Sequence, residues 1–275
     1  MEGLEQFLPY DKSHFIRYIF TLLYRETHEV ITKNDNFSSD MLSALECYSR
    51  LASGNFNINV GESGTLLRFA SLYIFLKTGE NPKGIIREGT LCNRKISKPS
   101  EVINLPIKAM LKLDGGTSQW ASAAYLLGVN QEKISNPPYR LNQTYEFTTT
   151  CGPLIIDSTI KEQAHAIVEF IGTGGTSWKP KHSEDYCLAR ALGIMSKEAG
   201  AVAFPQVVNH ESNRLDEMEH YNEYCADHRV IQAYGVMQAI RGEKFTPNSI
   251  QAKALNKSWP QFQNFLTAAS KNIKP

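Results

Sequence analysis

No stretch of the 275 residues is apolar for long enough to span a bilayer; the best, Tyr18 to Tyr24, falls far short of the roughly 20 residues required. The opening Met1-Glu2-Gly3-Leu4-Glu5 has neither the basic start nor the apolar run of a signal peptide, so a cytoplasmic location is expected. An excess of one charge is also missing. With 29 Lys and Arg against 28 Asp and Glu, the net charge is +1, which gives no global field to attract nucleic acid or an anionic membrane. Any affinity for anions must be local. The cysteines (Cys47, Cys92, Cys151, Cys187 and Cys225) are odd in number and form no C-x-x-C pair. That pattern argues against a disulfide framework or a zinc site and predicts reduced thiols, mostly in the core. The histidine spacing supports no metal site either, and no segment is of low complexity.

What is present is ordinary in bulk and unusual in detail. A hydrophobic content of 42% and a charged content of 21% describe a globular chain with enough length for one large domain or two lobes. The detail is a repeated figure, in which polar and charged residues gather where apolar helices are predicted to begin. It occurs at Asp11-Lys12-Ser13, Gly61-Glu62-Ser63-Gly64-Thr65, Gly115-Gly116-Thr117-Ser118-Gln119, His210-Glu211-Ser212-Asn213-Arg214, Asp227-His228-Arg229 and Lys257-Ser258-Trp259-Pro260. A helix start offers unpaired N–H groups and the positive end of the dipole, so it attracts anions. Several such starts, mostly with Lys or Arg in the first turns, predict a chain that surrounds something phosphorylated or carboxylated.

The patterning predicts helices over Ser13 to Arg25 (capped by Ser13 or Asp11), Ser39 to Leu51, Thr65 to Lys77, Ser118 to Leu127, Asp185 to Lys197, from Glu211, Asp227 to Ile240 and Trp259 to Ala269. Strands are predicted at His28 to Lys33, Phe56 to Val60, Thr144 to Thr150, Pro153 to Ile156, His165 to Ile171, Ala201 to Val208 and Gln251 to Leu255, with shorter pieces at Ile85-Ile86 and Lys95-Ile96. The alternation reads as α/β. The Gly172-Thr173-Gly174-Gly175-Thr176 segment reads as a flexible connection, because no phosphate-loop pattern follows it.

Taken in order, the polar clusters resemble those of 5-enolpyruvylshikimate-3-phosphate (EPSP) synthase and the wider enolpyruvyl transferase family. Lys12-Ser13-x-x-x-Arg17 is similar to the family's Lys-Ser-x-x-Asn-Arg opening, and Gly61 to Arg68 to its Gly-Asn-Ala-Gly-Thr-x-x-Arg loop. Arg94-Lys95-Ile96 resembles Arg-Pro-Ile, Thr117-Ser118-Gln119 resembles Ser-Ser-Gln, and Glu184-Asp185 stands where the family carries Pro-Asp. Glu211-Ser212-Asn213-Arg214 resembles Glu-Ser/Thr-Asp-Arg, Asp227-His228-Arg229 is the family's Asp-His-Arg, and Lys257-Ser258-Trp259-Pro260 is similar to Lys-Ser/Thr-Phe-Pro. Ser13 favours the shikimate branch over the UDP-N-acetylglucosamine branch. Glu62 replaces Asn, His210 replaces Lys and Asn213 replaces Asp. The chain is shorter than family members between Arg94 and Asp185.

The resemblance implies a two-lobed fold of βαβαββ units, an inside-out α/β barrel, with units missing from at least one lobe. Residues 14–154 would form a shortened N-terminal lobe, and residues 1–13 with 155–275 the C-terminal lobe. It implies transfer of the carboxyvinyl group of phosphoenolpyruvate to the 5-hydroxyl of shikimate 3-phosphate, with release of phosphate, as in aromatic amino acid biosynthesis. No metal or organic cofactor is needed, and a monomer is expected. By the same resemblance, Arg94, Arg214, Arg229 and Lys257, with backbone N–H groups at Gly64 and Thr65, would hold phosphoenolpyruvate. Ser13, Arg17, Thr117, Ser118 and Gln119 would hold the phosphorylated ring, and His210 would stand on its phosphate side. Asp185 would orient or deprotonate the hydroxyl, and Lys12 and Glu211 would move protons through a tetrahedral intermediate.

Each cluster also has a simpler reading. Lys12, Ser13 and Arg17 alone describe a capped, solvated helix start, and Gly61 to Thr65 a strand-to-helix turn. Thr117-Ser118 is an ordinary N-cap, and Glu211 and Arg214 are spaced as a surface ion pair. Asp227 and Arg229 fit a cap and a solvent contact, and Trp120 and Trp259 fit the core. Two rivals follow: the same chemistry on another cyclic alcohol, or a non-catalytic anion-binding protein.

Overall fold

The structure, a computed structural model, describes residues 3–129, 134, 136–181, 183–204 and 221–273. The chain divides into two compact units, Asp11–Ile155 and Met1–Tyr10 with Ile156–Pro275. The described residues are mostly helical, with a single pair of short strands.

The 11–155 unit contains α1 (Lys12–Tyr24), α2 (Ser39–Ala52), β1 (Ile58–Asn59), α3 (Gly64–Thr78), β2 (Ile85–Ile86), the short α4 (Pro99–Val102) and α5 (Ile107–Met110), α6 (Gln119–Leu126) and α7 (Tyr139–Thr150). β1 and β2 run parallel, with Ile58 opposite Ile85. α3 shows why this unit coheres. Its residues from Leu66 to Ile74 are buried on every side, so it forms the centre against which α1 and α6 pack. Phe20 of α1 meets Phe69 and Tyr73 of α3, with ring centroids 5.5 and 6.1 Å apart, and Trp120 of α6 is fully buried. Aromatic contacts of this kind contribute about 0.5–1.5 kcal/mol beyond the area they bury.

The other unit contains α8 (Ser158–Gly172), α9 (Ser183–Ala191), α10 (Lys197–Ala203), α11 (His228–Ile240), α12 (Ser249–Asn256) and α13 (Phe262–Ile273). Its core joins Leu4 and Leu8 to Ile167, Phe170, Ile231, Val236, Trp259, Phe262 and Phe265. The Trp259 indole N–H donates to the Phe7 carbonyl at 2.7 Å, which fastens the N-terminal segment to this unit. An antiparallel bridge between Tyr10 and Ile156 does the same.

Several predicted strands are helices. Thr144 to Thr150 lies in α7, His165 to Ile171 in α8 and Gln251 to Leu255 in α12. Short windows rich in Thr, Ile and Phe look extended, yet longer-range signals win. Thr144 and Thr150 return their hydroxyls to the carbonyls of Arg140 and Glu146 four residues back, which suits a helix. Asp157 caps α8 by accepting from the Ile160 N–H. Asn248 and Gln251 form a reciprocal capping box at the start of α12. His28 to Lys33 and Lys95-Ile96 are irregular, and Pro153 to Ile156 contributes only the bridge at Ile156. Ala201 to Ala203 closes α10; the rest of that predicted strand beyond Phe204, and the helix predicted from Glu211, lie outside the described residues.

Candidate functional site

α1 begins where the patterning predicts, and Asp11 is its cap. The Asp11 carboxylate accepts from the N–H groups of Ser13 and His14 at 2.8 and 2.9 Å. Lys12 turns to Asp40, Nζ to Oδ2 at 3.0 Å, with the lysine 40% exposed and the aspartate 8%. Arg17, one turn on, has a buried Nε with no hydrogen-bond partner among the described residues. Burial lowers its pKa, and nearby Asp11 opposes the shift. A guanidinium with a desolvated, unanswered N–H is prepared for an acceptor oxygen.

Three separated stretches converge at the start of α3. Ser63 caps the helix by accepting from the Leu66 N–H, and Gly64 opens it. Arg68 folds back over this first turn: Nη1 donates to the Gly64 carbonyl at 2.9 Å and to Gln119 Oε1 at 2.6 Å. A Cβ on Gly64 would stand 3.0 Å from that nitrogen, so the glycine is what permits the close approach. The other side of the guanidinium grips Asp114 Oδ2, from both Nε and Nη2 at 2.8 Å. Asp114 also accepts from the Ser97 amide and hydroxyl at 3.0 and 2.8 Å, and from the Trp120 indole N–H at 2.8 Å. Burial pushes the Asp114 carboxyl up, but the Ser97 and Trp120 hydrogen bonds and the Arg68 charge outweigh it and hold the value below the ordinary range. Burial lowers Arg68 in turn; Asp114 opposes that shift, while the nearby positive charge of Arg94 adds to it.

Arg94 itself is exposed, with a long 3.5 Å contact to the Thr90 hydroxyl and no carboxylate partner among the described residues. α6 starts at Gln119, and its N-cap Ser118 makes no side-chain capping bond. Beside it the Thr117 hydroxyl is buried without a partner among the described residues. The first turn of α6 thus presents backbone donors beside a buried hydroxyl that has no partner among the described residues. Glu62 points elsewhere: its carboxylate lies against Gly89, which has φ +50° and no room for a side chain.

Comparison with family models, curated proteins and solved structures returns no match.

In the other unit, Asp185 is buried at 2% exposure on α9 and accepts from the Lys181 N–H at 3.2 Å. Arg229 is buried on α11, which packs on α9, and its Nη1 reaches Cys187 Sγ at 3.4 Å. Its fork is taken up by Asp227: Nε to Oδ1 at 3.0 Å and Nη2 to Oδ2 at 2.8 Å. Burial opposes ionisation of Asp227, yet the hydrogen bonds and charge of Arg229 bring the carboxyl down to about 2. Lys257 closes α12, half-buried, ahead of Trp259. His210, Glu211 and Arg214 lie outside the described residues.

The structure therefore brings Gly64 and Gln119 onto Arg68, whose pKa the charge of Arg94 also lowers, and places Asp185 and Arg229 on neighbouring helices. It shows Lys12 and Arg229 already engaged with carboxylates. Sequence reasoning missed Asp114 and Asp40 as partners; the Asp-Gly-Gly turn at 114–116 was the available signal for the first. None of the assigned residues lines either of the described cavities, about 350 and 160 Å³. Among the described residues there is no metal-ligand cluster, and no helix is long and apolar enough to cross a membrane. No disulfide joins described cysteines; Cys47 and Cys187 are buried, and burial drives the Cys47 thiol up to about 12.

Proposed function

We propose that the chain is an enolpyruvyl transferase of the EPSP synthase type, acting on phosphoenolpyruvate and a phosphorylated cyclic alcohol, with shikimate 3-phosphate the first acceptor to try. The observation that carries the reading is the meeting of Gly64 and Gln119 on the buried Arg68–Asp114 pair, with the charge of Arg94 close enough to be felt by Arg68. These residues come from three of the motifs that the resemblance assigns to substrate. Arg68 spends its charge on Asp114 and acts as a fastener, which leaves Arg94 and the first turn of α6 as the anion-binding elements. A phosphate or carboxylate oxygen there would gain charge-assisted hydrogen bonds. Arg17 and Thr117 supply further donors that have no partner among the described residues.

In the reaction, the acceptor oxygen bonds to C2 of phosphoenolpyruvate as the hydroxyl proton leaves and the methylene carbon gains one. The C–O bond to phosphate then breaks, and a proton is lost from the methyl group. By resemblance Asp185 takes the hydroxyl proton, and Lys12 and Glu211 serve the carbon. Lys12 must exchange Asp40 for substrate to do so, a modest cost for a pair whose lysine is half-exposed. The fold reading is a reduced form of the family's two-lobed, strand-containing architecture.

The engagement of Lys12 with Asp40, the capping of α1 by Asp11 and the scarcity of strands among the described residues favour a second reading, a non-catalytic anion-binding protein. Calorimetric titration with phosphoenolpyruvate, with and without shikimate 3-phosphate, tests the shared part. Saturable binding that Arg94→Ala weakens about tenfold or more is expected, the value of one charged hydrogen bond. Affinity unchanged by Arg94→Ala would remove the assigned site.

A further inference from the structure

The larger cavity, about 350 Å³, belongs to none of the residues assigned above. It opens in the 11–155 unit where α1, α2 and α3 end. Leu23, Leu51, Phe56 and Tyr73 give it apolar walls, and Leu23, Leu51 and Tyr73 are nearly fully buried. Glu26 and Lys77 also line it, and their exposure of 76% and 42% puts them at its rim, with Nζ to Oε1 at 3.0 Å. The same ammonium lies 5.8 Å from the centroid of the Tyr73 ring. The volume is at the lower end of the roughly 300–1,000 Å³ typical of small-molecule sites, and apolar walls with a few polar groups at the mouth are their usual make-up.

Glu26 is an unexpected residue to find there. α1 ends with the Thr27 N–H on the Leu22 carbonyl and the Glu26 N–H on the Leu23 carbonyl, which puts Glu26 in the left-handed position at φ +55°. Gly54, Gly128, Gly174 and Gly242 hold the equivalent place after α2, α6, α8 and α11. A left-handed glutamate is disfavoured relative to glycine, and an exposed ion pair offsets little of that. Stability alone therefore gives no reason for a carboxylate at this rim.

We propose that this cavity binds a small amphipathic zwitterion, with an apolar body between Leu23, Leu51, Phe56 and Tyr73 and a head carrying one ammonium and one carboxylate, as in an α-amino acid with a large apolar side chain. The rim offers one charge of each sign in an ion pair that opens cheaply. A zwitterion exchanges that pair for two, its carboxylate on Lys77 and its ammonium on Glu26. A ligand with one charge takes one partner and strands the other, so the rim discriminates by charge pattern as the walls do by shape. The site is independent of the transferase reading.

The test is calorimetric titration of the full chain with L-phenylalanine and L-leucine, beside the single-charge probes 3-phenylpropionate and 2-phenylethylamine. Saturable one-to-one binding of an amino acid is expected, about tenfold or more tighter than either probe. Lys77→Met and Glu26→Gln, both at exposed side chains, should each weaken it about tenfold, and Ala52→Trp, which fills the cavity, should abolish it. Absence of saturable binding by both amino acids would overturn the proposal. So would equal affinity for a single-charge probe, or an affinity that Lys77→Met leaves unchanged.

Discussion

Asp114 sits in the left-handed region at φ +50°, which residues other than glycine adopt sparingly even though aspartate tolerates it better than most. Such a residue costs on the order of 1–3 kcal/mol and persists only where its surroundings hold it. Here Arg68, Ser97 and Trp120 do so, with both partners of the ion pair under one-tenth exposed. Asp114→Ala would leave a buried guanidinium without its counter-charge, so a loss of about 3–5 kcal/mol in urea denaturation is expected; a loss under about 1 kcal/mol would show that the pair does not sustain this corner. Acid sensitivity is also set by single residues. Asp227, at about 2 when folded against 3.8 when unfolded, adds stability that is complete above about pH 5 and is lost progressively as pH falls through about 2. His14 acts in a higher window. Burial lowers its imidazole pKa, against the Gly152 carbonyl and the Asp11 charge, so the unfolded chain takes up the proton first. Stability should therefore decline as pH falls below about 6.5. His14→Gln, which can still donate to Gly152, should flatten that decline in melting temperature; an unchanged slope would assign it elsewhere.

Among the elements, caps decide more than propensity does. α12 is held by Asn248 and Gln251 exchanging hydrogen bonds across its first turn. Asn248→Ala should cost about 1 kcal/mol of global stability by chemical denaturation, and no measurable loss would mean that packing alone keeps this segment helical. The same signals explain what was legible in the sequence. The starts of α1, α3 and α11 were readable because Asp11, Ser63 and Asp227 stand directly before apolar periods, and the end of α3 because Gly79 follows it. α7 and α8 read as strands in short windows because β-branched and aromatic residues stand out there, whereas the apolar face of α8 emerges only over its full 15 residues. At the site, Gly64, Arg94 and Gln119 were legible as motif residues. Their fastener was not, because Arg68 and Asp114 are brought together by tertiary packing across 46 residues of chain.

For the whole molecule, the assigned residues divide between the two units. Lys12, Arg17, Gly64, Arg94 and Gln119 lie in one, and Asp185, Arg229 and Lys257 in the other. If the proposed assignment holds, phosphoenolpyruvate affinity should respond to Arg94 more strongly than to Asp185, and turnover to both. The central claim is turnover, and one measurement tests it most directly: incubation of the full chain with phosphoenolpyruvate and shikimate 3-phosphate, following released phosphate and the mass of the enolpyruvyl product. The transferase account predicts both products in equal amounts, with Lys12→Met reducing their rate by about a hundredfold or more, as expected on removing a proton-transferring group. Saturable binding of both substrates with no product, even at high protein concentration, would contradict it and leave an anion-binding protein.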